Sequence, residues 1–160
     1  MAATVEGEGL RELFSAYPVG VCVVTVAAGG NELGLTLSSL VSLSLDPPLV
    51  GLAVSREAAM HELLREAGRC AISLLAAGQE GLAQRFSRGM PPIAMWHGVE
   101  TMAGATGAPL LVGALGWVEC KIREEVSAGT HTFFVCVIER VEVGIDAPAL
   151  VRVRGGYSSA

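Results

Sequence analysis

Five hydroxyl side chains, Thr36, Ser38, Ser39, Ser42 and Ser44, fall within a single short stretch of the chain. Small residues at this spacing leave backbone N–H groups accessible and add hydroxyl donors. A flat, polar, phosphate-bearing ligand needs that donor set. The same stretch has a plainer reading. From Ser38 to Leu45, Ser alternates with Leu or Val, so an extended segment would present one hydroxyl-rich face to solvent. On residue types alone both readings stand. Little else in the sequence suggests chemistry: it has no Gly-x-Gly-x-x-Gly after a strand, and no Ser-His-Asp or paired-carboxylate arrangement. Cys22, Cys70, Cys120 and Cys136 form no Cys-x-x-Cys pair and have no histidine at ligand spacing. Because Cys22, Cys70 and Cys136 sit in apolar strand-like runs, the cysteines are read as core filler, and no metal site is expected.

Periodicity supplies the elements that must position the hydroxyls. Residues 9–16 put Leu10, Leu13 and Phe14 on one helical face, and Pro18 ends that helix. Val19 to Val26 is a β-branched run read as a buried strand, turned back at Gly29-Gly30-Asn31 into a hairpin partner over 32–37. Asp46-Pro47-Pro48 interrupts the Ser/Leu alternation, and Leu49 to Val54 is the next buried strand. A helix with Met60, Leu63 and Leu64 inward is expected to end at Gly68. Cys70 to Leu75 reads as a strand and Gln79 to Phe86 as a helix, with Leu82 and Phe86 on one side. Residues 87–108, with two prolines and four glycines, are expected to be an irregular connection. Strands over 110–123, 130–143 and 150–153 complete a mainly β fold, an antiparallel closed or nearly closed barrel with short flanking helices. At 160 residues one domain spanning 1–160 is expected.

Composition narrows the partners. A net charge of -5 and scattered basic residues argue against nucleic acid. The longest apolar run, Val19 to Ala28, is too short to span a bilayer, and the acidic N-terminus does not read as a signal peptide, so a soluble cytoplasmic protein is expected. The content of 51% hydrophobic residues against 17% charged exceeds what a lone domain usually hides, which points to burial against a second copy.

A series of motifs sharpens this picture. In order these are Gly20-Val21, Val23-Val24-Thr25, Gly34-x-Thr36-x-Ser38-Ser39, Ser42-x-Ser44-Leu45 and Asp46-Pro47-Pro48-Leu49-Val50. They continue through Glu66 to Leu75, Gln79 to Phe86, Trp117-Val118-Glu119-Cys120, Gly129-Thr130-His131 and Gly155-Gly156-Tyr157. The series resembles the flavin reductase-like family over nearly the whole chain, except the segment 88–108. The resemblance implies a homodimeric FMN-binding split barrel. Thr36, Leu37, Ser38, Ser39, Ser42, Ser55, Ser73 and Phe86 would line the flavin, and Arg56 and Arg85 would hold its phosphate. His131 would take the catalytic position beside the nicotinamide, and Tyr157 would lie near the nicotinamide or the dimer contact. The chain departs from the family pattern at Ala58-Ala59-Met60, where a hydroxyl is usual, at Ser73 for Asn, at Thr130 for Asp and at Cys136 for Gly.

The function implied is an NADH- or NADPH-dependent flavin reductase that supplies reduced flavin to a separate monooxygenase. A flavin-binding protein of the same fold without reductase turnover, an oxygenase or an accessory subunit, is the alternative suggested by the departures. FMN is favoured over FAD because the chain is short and nothing in it marks an adenine pocket.

Overall fold

The computed structural model describes residues 5–160. The N-terminal Met-Ala-Ala-Thr, part of the segment read as lacking a signal peptide, lies outside them. Helix α1 (Gly7–Ser15) buries no side chain: Leu10, Leu13 and Phe14 share a face as expected, yet are 47, 68 and 61% exposed. The long apolar run after Pro18 is two strands, not one. Val19–Gly20 (β1) and Cys22–Ala28 (β2) part at Val21, because β1 pairs with the C-terminal end of the chain while β2 enters the main sheet. Gly29 and Gly30, both at positive φ, make the tight turn into β3 (Asn31–Leu37), which only residues without a Cβ adopt freely.

The Ser/Leu alternation is also interrupted. Ser38 to Leu40 are not in a strand, and β4 covers only Val41–Leu45, with a bulge between Ser42 and Ser44. The chain then returns through a cis Asp46–Pro47 bond into β5 (Pro48–Ser55). Helix α2 (Ala59–Ala67) places Met60 and Leu64 in the core and ends on Gly68 at φ +66, whose N–H bonds Leu64 O. Strand β6 (Arg69–Leu74) and helix α3 (Glu80–Phe86) follow.

Residues 87–108 are more regular than expected. They contain helix α4 (Pro92–Trp96) and β7 (Thr101–Ala103), which pairs with β8 (Pro109–Leu111). The signal was hidden because long-range polar contacts hold this segment. Buried Glu119 accepts bonds from Thr106 N and Thr106 Oγ1 at 2.9 and 3.0 Å, and Trp96 Nε1 donates to Glu32 O at 2.9 Å. The run 110–123 divides accordingly between β8 and β9 (Gly116–Ala128). Strands β10 (His131–Val143), β11 (Leu150–Val153) and β12 (Gly156–Ser159) finish the chain.

The main sheet has seven antiparallel strands in the order β3-β2-β6-β9-β10-β5-β4, and no ladder joins its edge strands β3 and β4 among the described residues. Strands β1, β11 and β12 form a second, smaller sheet. One core cluster lies within the main sheet, where Val24, Leu52, Ile72 and Phe134 are fully buried and α2 closes one side with Leu64. A second, around Val23, Leu75, Phe86, Leu111 and Leu150, fills the space between the main sheet, α3, α4 and the small sheet. Burying such apolar side chains contributes roughly 1.5–3 kcal/mol each.

Candidate flavin site

The hydroxyl segment leaves the main sheet where β3 ends, and its members take different roles. Thr36 Oγ1 donates to Ala83 O at 2.7 Å, tying the strand end to α3. Ser39 Oγ donates to Ala53 O at 2.9 Å and accepts from Ala53 N at 3.2 Å, stitching the crossing segment to β5. Ser38 makes neither kind of bond among the described residues. With Thr36, Leu37, Val21, Ser87, Arg152 and Tyr157 it lines a cavity of about 240 Å³. Val21 and Ser38 also wall a larger apolar cavity of about 510 Å³ that runs past Tyr17, Leu40 and Leu74. Ser87 is shared with a third, of about 430 Å³, bounded by Gly34, Ala58, Ala59, Met60, Phe86 and Met95. The hydroxyl-lined cavity thus shares wall residues with each of the two larger ones, which share none with each other, and the three together are the candidate groove.

Phe86 sets one wall by filling space that glycine leaves. A Cβ on Gly34 would lie 2.6 Å from Phe86 Cδ1, so the buried ring packs directly on the β3 backbone. Trp96 backs that ring at 5.0 Å between centroids, tilted by 58°.

Four expected residues therefore converge, Thr36, Leu37, Ser38 and Tyr157, with Phe86 in the adjoining cavity. The rest stand elsewhere. Ser42 is exposed on β4. Ser73 is fully buried and accepts a bond from Leu111 N at 3.1 Å, so its hydroxyl serves the β8 segment. Ser55 and His131 face each other across the β5–β10 ladder, and His131 Nδ1 lies 2.9 Å from Thr130 Oγ1. Arg56 is turned to the β9–β10 hairpin, bonded to Gly129 O and Ser127 Oγ, and lines a polar cavity with His61, Glu62, Arg65 and Thr132. Arg85 donates to Ala94 O at 3.0 Å, bracing α4.

In that polar cavity the buried His61 bridges Thr132 Oγ1 at 2.7 Å and Glu62 Oε1 at 2.9 Å. The bond from His61, aided by Arg65, holds the Glu62 carboxyl below its usual range, and Glu125 raises Arg65.

Sequence reasoning missed Arg152. Among the described residues it is the one charged side chain lining the hydroxyl cavity, with its guanidinium carbon 5.1 Å from the centre of the Tyr157 ring. The signal available was the register of the last hairpin, which sets Arg152 directly opposite Tyr157. A single arginine in a strand carries no such information by itself.

The groove fits a flavin in kind. It combines a hydroxyl donor at Ser38, an acceptor oxygen at Thr36, a cation at Arg152 for a negatively charged atom, and apolar walls for a ring system.

Known proteins share the sequence pattern and the fold. The profile of the flavin reductase like domain matches residues 14–160. The chain is 42% identical over 130 residues to an NADH-dependent FAD reductase of Streptomyces globisporus, covering 79% of this chain and 70% of that protein. It is 35% identical over 150 residues to the reductase component of 4-hydroxyphenylacetate 3-monooxygenase of Thermus thermophilus, covering 94% of each. Among solved structures, the NADH:FAD oxidoreductase SgcE6 of Streptomyces globisporus superposes with a TM-score of 0.90 at 33% identity, over 99% of this chain and 97% of that one. With an ordered motif series, a matching fold and a profile running from Phe14 to the last residue, this chain belongs to the flavin reductase-like domain family.

Proposed function

We propose that this chain is an NADH-dependent flavin reductase, one domain that reduces FMN or FAD and supplies the reduced flavin to a separate monooxygenase. The observation that carries the reading is the convergence of Thr36, Leu37, Ser38, Arg152 and Tyr157 on one cavity within a flavin reductase-like fold. The names of its relatives support the nicotinamide and the oxygenase partner.

A bound flavin supplies the hydride-accepting ring, so the protein's part is binding and orientation. Ser38 offers a hydroxyl donor to the ring edge, and Thr36, whose proton goes to Ala83 O, offers an acceptor oxygen. Arg152, held on the Tyr157 face, offers positive charge where the ring gains electrons. Phe86 and Leu37 exclude water from its apolar side. His131, at the exposed start of β10, is the candidate to meet the nicotinamide, and Ser55 opposite it is a candidate for the flavin chain. On the phosphate side Ala58 and Ala59 contribute no hydroxyl, which suits a flavin that exchanges with solvent.

We read the active form as a homodimer closing a split barrel. Tyr17 is 66% exposed, Leu45 91% and Val143 85%, apolar side chains that a second copy would cover. A cytoplasmic location suits the nicotinamide supply and the four free, buried cysteines. No helix among the described residues is long and apolar enough to cross a membrane.

The deciding measurement is NADH oxidation with and without added FMN or FAD. Oxidation that depends on added flavin is expected. A yellow protein inert to NADH and NADPH would identify the flavin-binding member without turnover. Arg152→Met is expected to weaken flavin binding by about 1.5–3 kcal/mol, the range for a hydrogen bond to a charged group. Arg56→Met should stay within about 0.5 kcal/mol, as a surface change away from the groove does. Fluorescence titration with FMN separates the two, and equal losses would move the site toward the β9–β10 hairpin.

A further inference from the structure

The cysteines are far apart in the sequence, and the sheet brings three of them together. Strands β6, β9 and β10 are consecutive neighbours. Cys70 stands directly opposite Cys120 across the β6–β9 ladder, with the two sulfurs 3.4 Å apart. Cys136 approaches from β10, where register shifts in the β9–β10 ladder flank it. All three sulfurs lie within 4.8 Å of one another, and all three residues are fully buried in the core cluster that includes Leu52, Leu64 and Phe134. Cys22 belongs to the same cluster but not to this group.

We infer that Cys70, Cys120 and Cys136 form a three-coordinate thiolate site for a soft monovalent cation, Cu(I). Ligand type argues first: three sulfurs with no carboxylate or imidazole among them select soft ions and exclude Mg²⁺ and Ca²⁺, which take oxygen. Spacing argues second. A metal–sulfur bond of about 2.3 Å places three sulfurs in a trigonal plane roughly 4 Å apart, between the 3.4 Å and 4.8 Å found here. Coordination number argues third. Structural zinc closes a tetrahedron with four ligands, and the described residues offer no fourth donor at a place shut off from water.

On binding, each ligating thiol releases its proton to solvent and copper remains Cu(I), so no oxidant or reductant is consumed. The cation offsets one of the three thiolate charges that a dry core otherwise disfavours. Entry requires the β6–β9–β10 ladders to open locally, so loading is slow.

The test titrates the reduced, full-length protein with Cu(I) under nitrogen, against the colorimetric chelator bicinchoninate, over hours. One equivalent per chain should be withdrawn from the chelator. Cys70→Ser and Cys136→Ser should each remove that step, and Cys22→Ser, an equally buried thiol outside the group, should leave it intact. X-ray absorption at the copper edge on the wild-type protein should find three sulfurs at about 2.3 Å, a readout that does not depend on any variant folding. No copper withdrawn by the wild type overturns the assignment. So does a nitrogen or oxygen shell, an equal loss in Cys22→Ser, or recovery of the protein as a Cys70–Cys120 disulfide that binds no copper.

Discussion

Ser38→Trp should abolish flavin binding and flavin-dependent NADH oxidation while leaving the far-ultraviolet circular dichroism unchanged. Ser38 has no side-chain bond partner among the described residues, and of the five hydroxyl residues it alone walls both the hydroxyl-lined cavity and the larger apolar one. An indole at that position fills the space the flavin ring would take, and it strands no partner inside the fold. Ser39→Trp is a poorer probe, because it breaks the two bonds to Ala53 that fasten the segment to β5. Its expected effect is unfolding before loss of binding. Wild-type FMN affinity in Ser38→Trp, measured by quenching of flavin fluorescence, would place the flavin elsewhere.

The largest effect on stability is expected at Phe86. Its ring is buried against the Gly34 backbone and Trp96, so Phe86→Ala should cost about 3–5 kcal/mol through lost burial and the cavity left behind. In a chain of this size that corresponds to a fall in Tm of roughly 10 °C. Gly34→Ala should cost about 1–3 kcal/mol by forcing the ring aside. Removing the ring first removes the clash, so in the Phe86→Ala background Gly34→Ala should cost almost nothing. Thermal or urea unfolding of the four proteins closes that cycle. Additive losses would show that the glycine is not kept for the ring.

Much of the architecture could be read from local pattern. The α2 helix ending at Gly68 and the Gly29-Gly30 hairpin follow from periodicity and turn chemistry, which act within a few residues. Elements held by distant partners were not legible in this way. Strand β1 separates from β2 because of a pairing with residues 151 and 152, and the 87–108 segment takes its order from Glu119 and Glu32. The site divides along the same line. An ordered series of motifs points to Thr36, Ser38 and Tyr157, which line one cavity, whereas Arg152 becomes visible only once the last hairpin sets it across from Tyr157. The three cysteines are a stronger case. Spacings of 50 and 16 residues carry no ligand signature, and only the neighbouring of β6, β9 and β10 makes them a group.

The groove places its hydroxyl-lined cavity between two larger spaces with which it shares walls. A ring held there would border open space on either side. Whatever leaves reduced meets dissolved oxygen before it meets an oxygenase, and each such meeting spends NADH without product. The yield of a coupled reaction would then be set less by the reductase's own speed than by how densely the oxygenase surrounds it. Raising the ratio of oxygenase to reductase, at fixed flavin, is the lever that this geometry leaves to the cell.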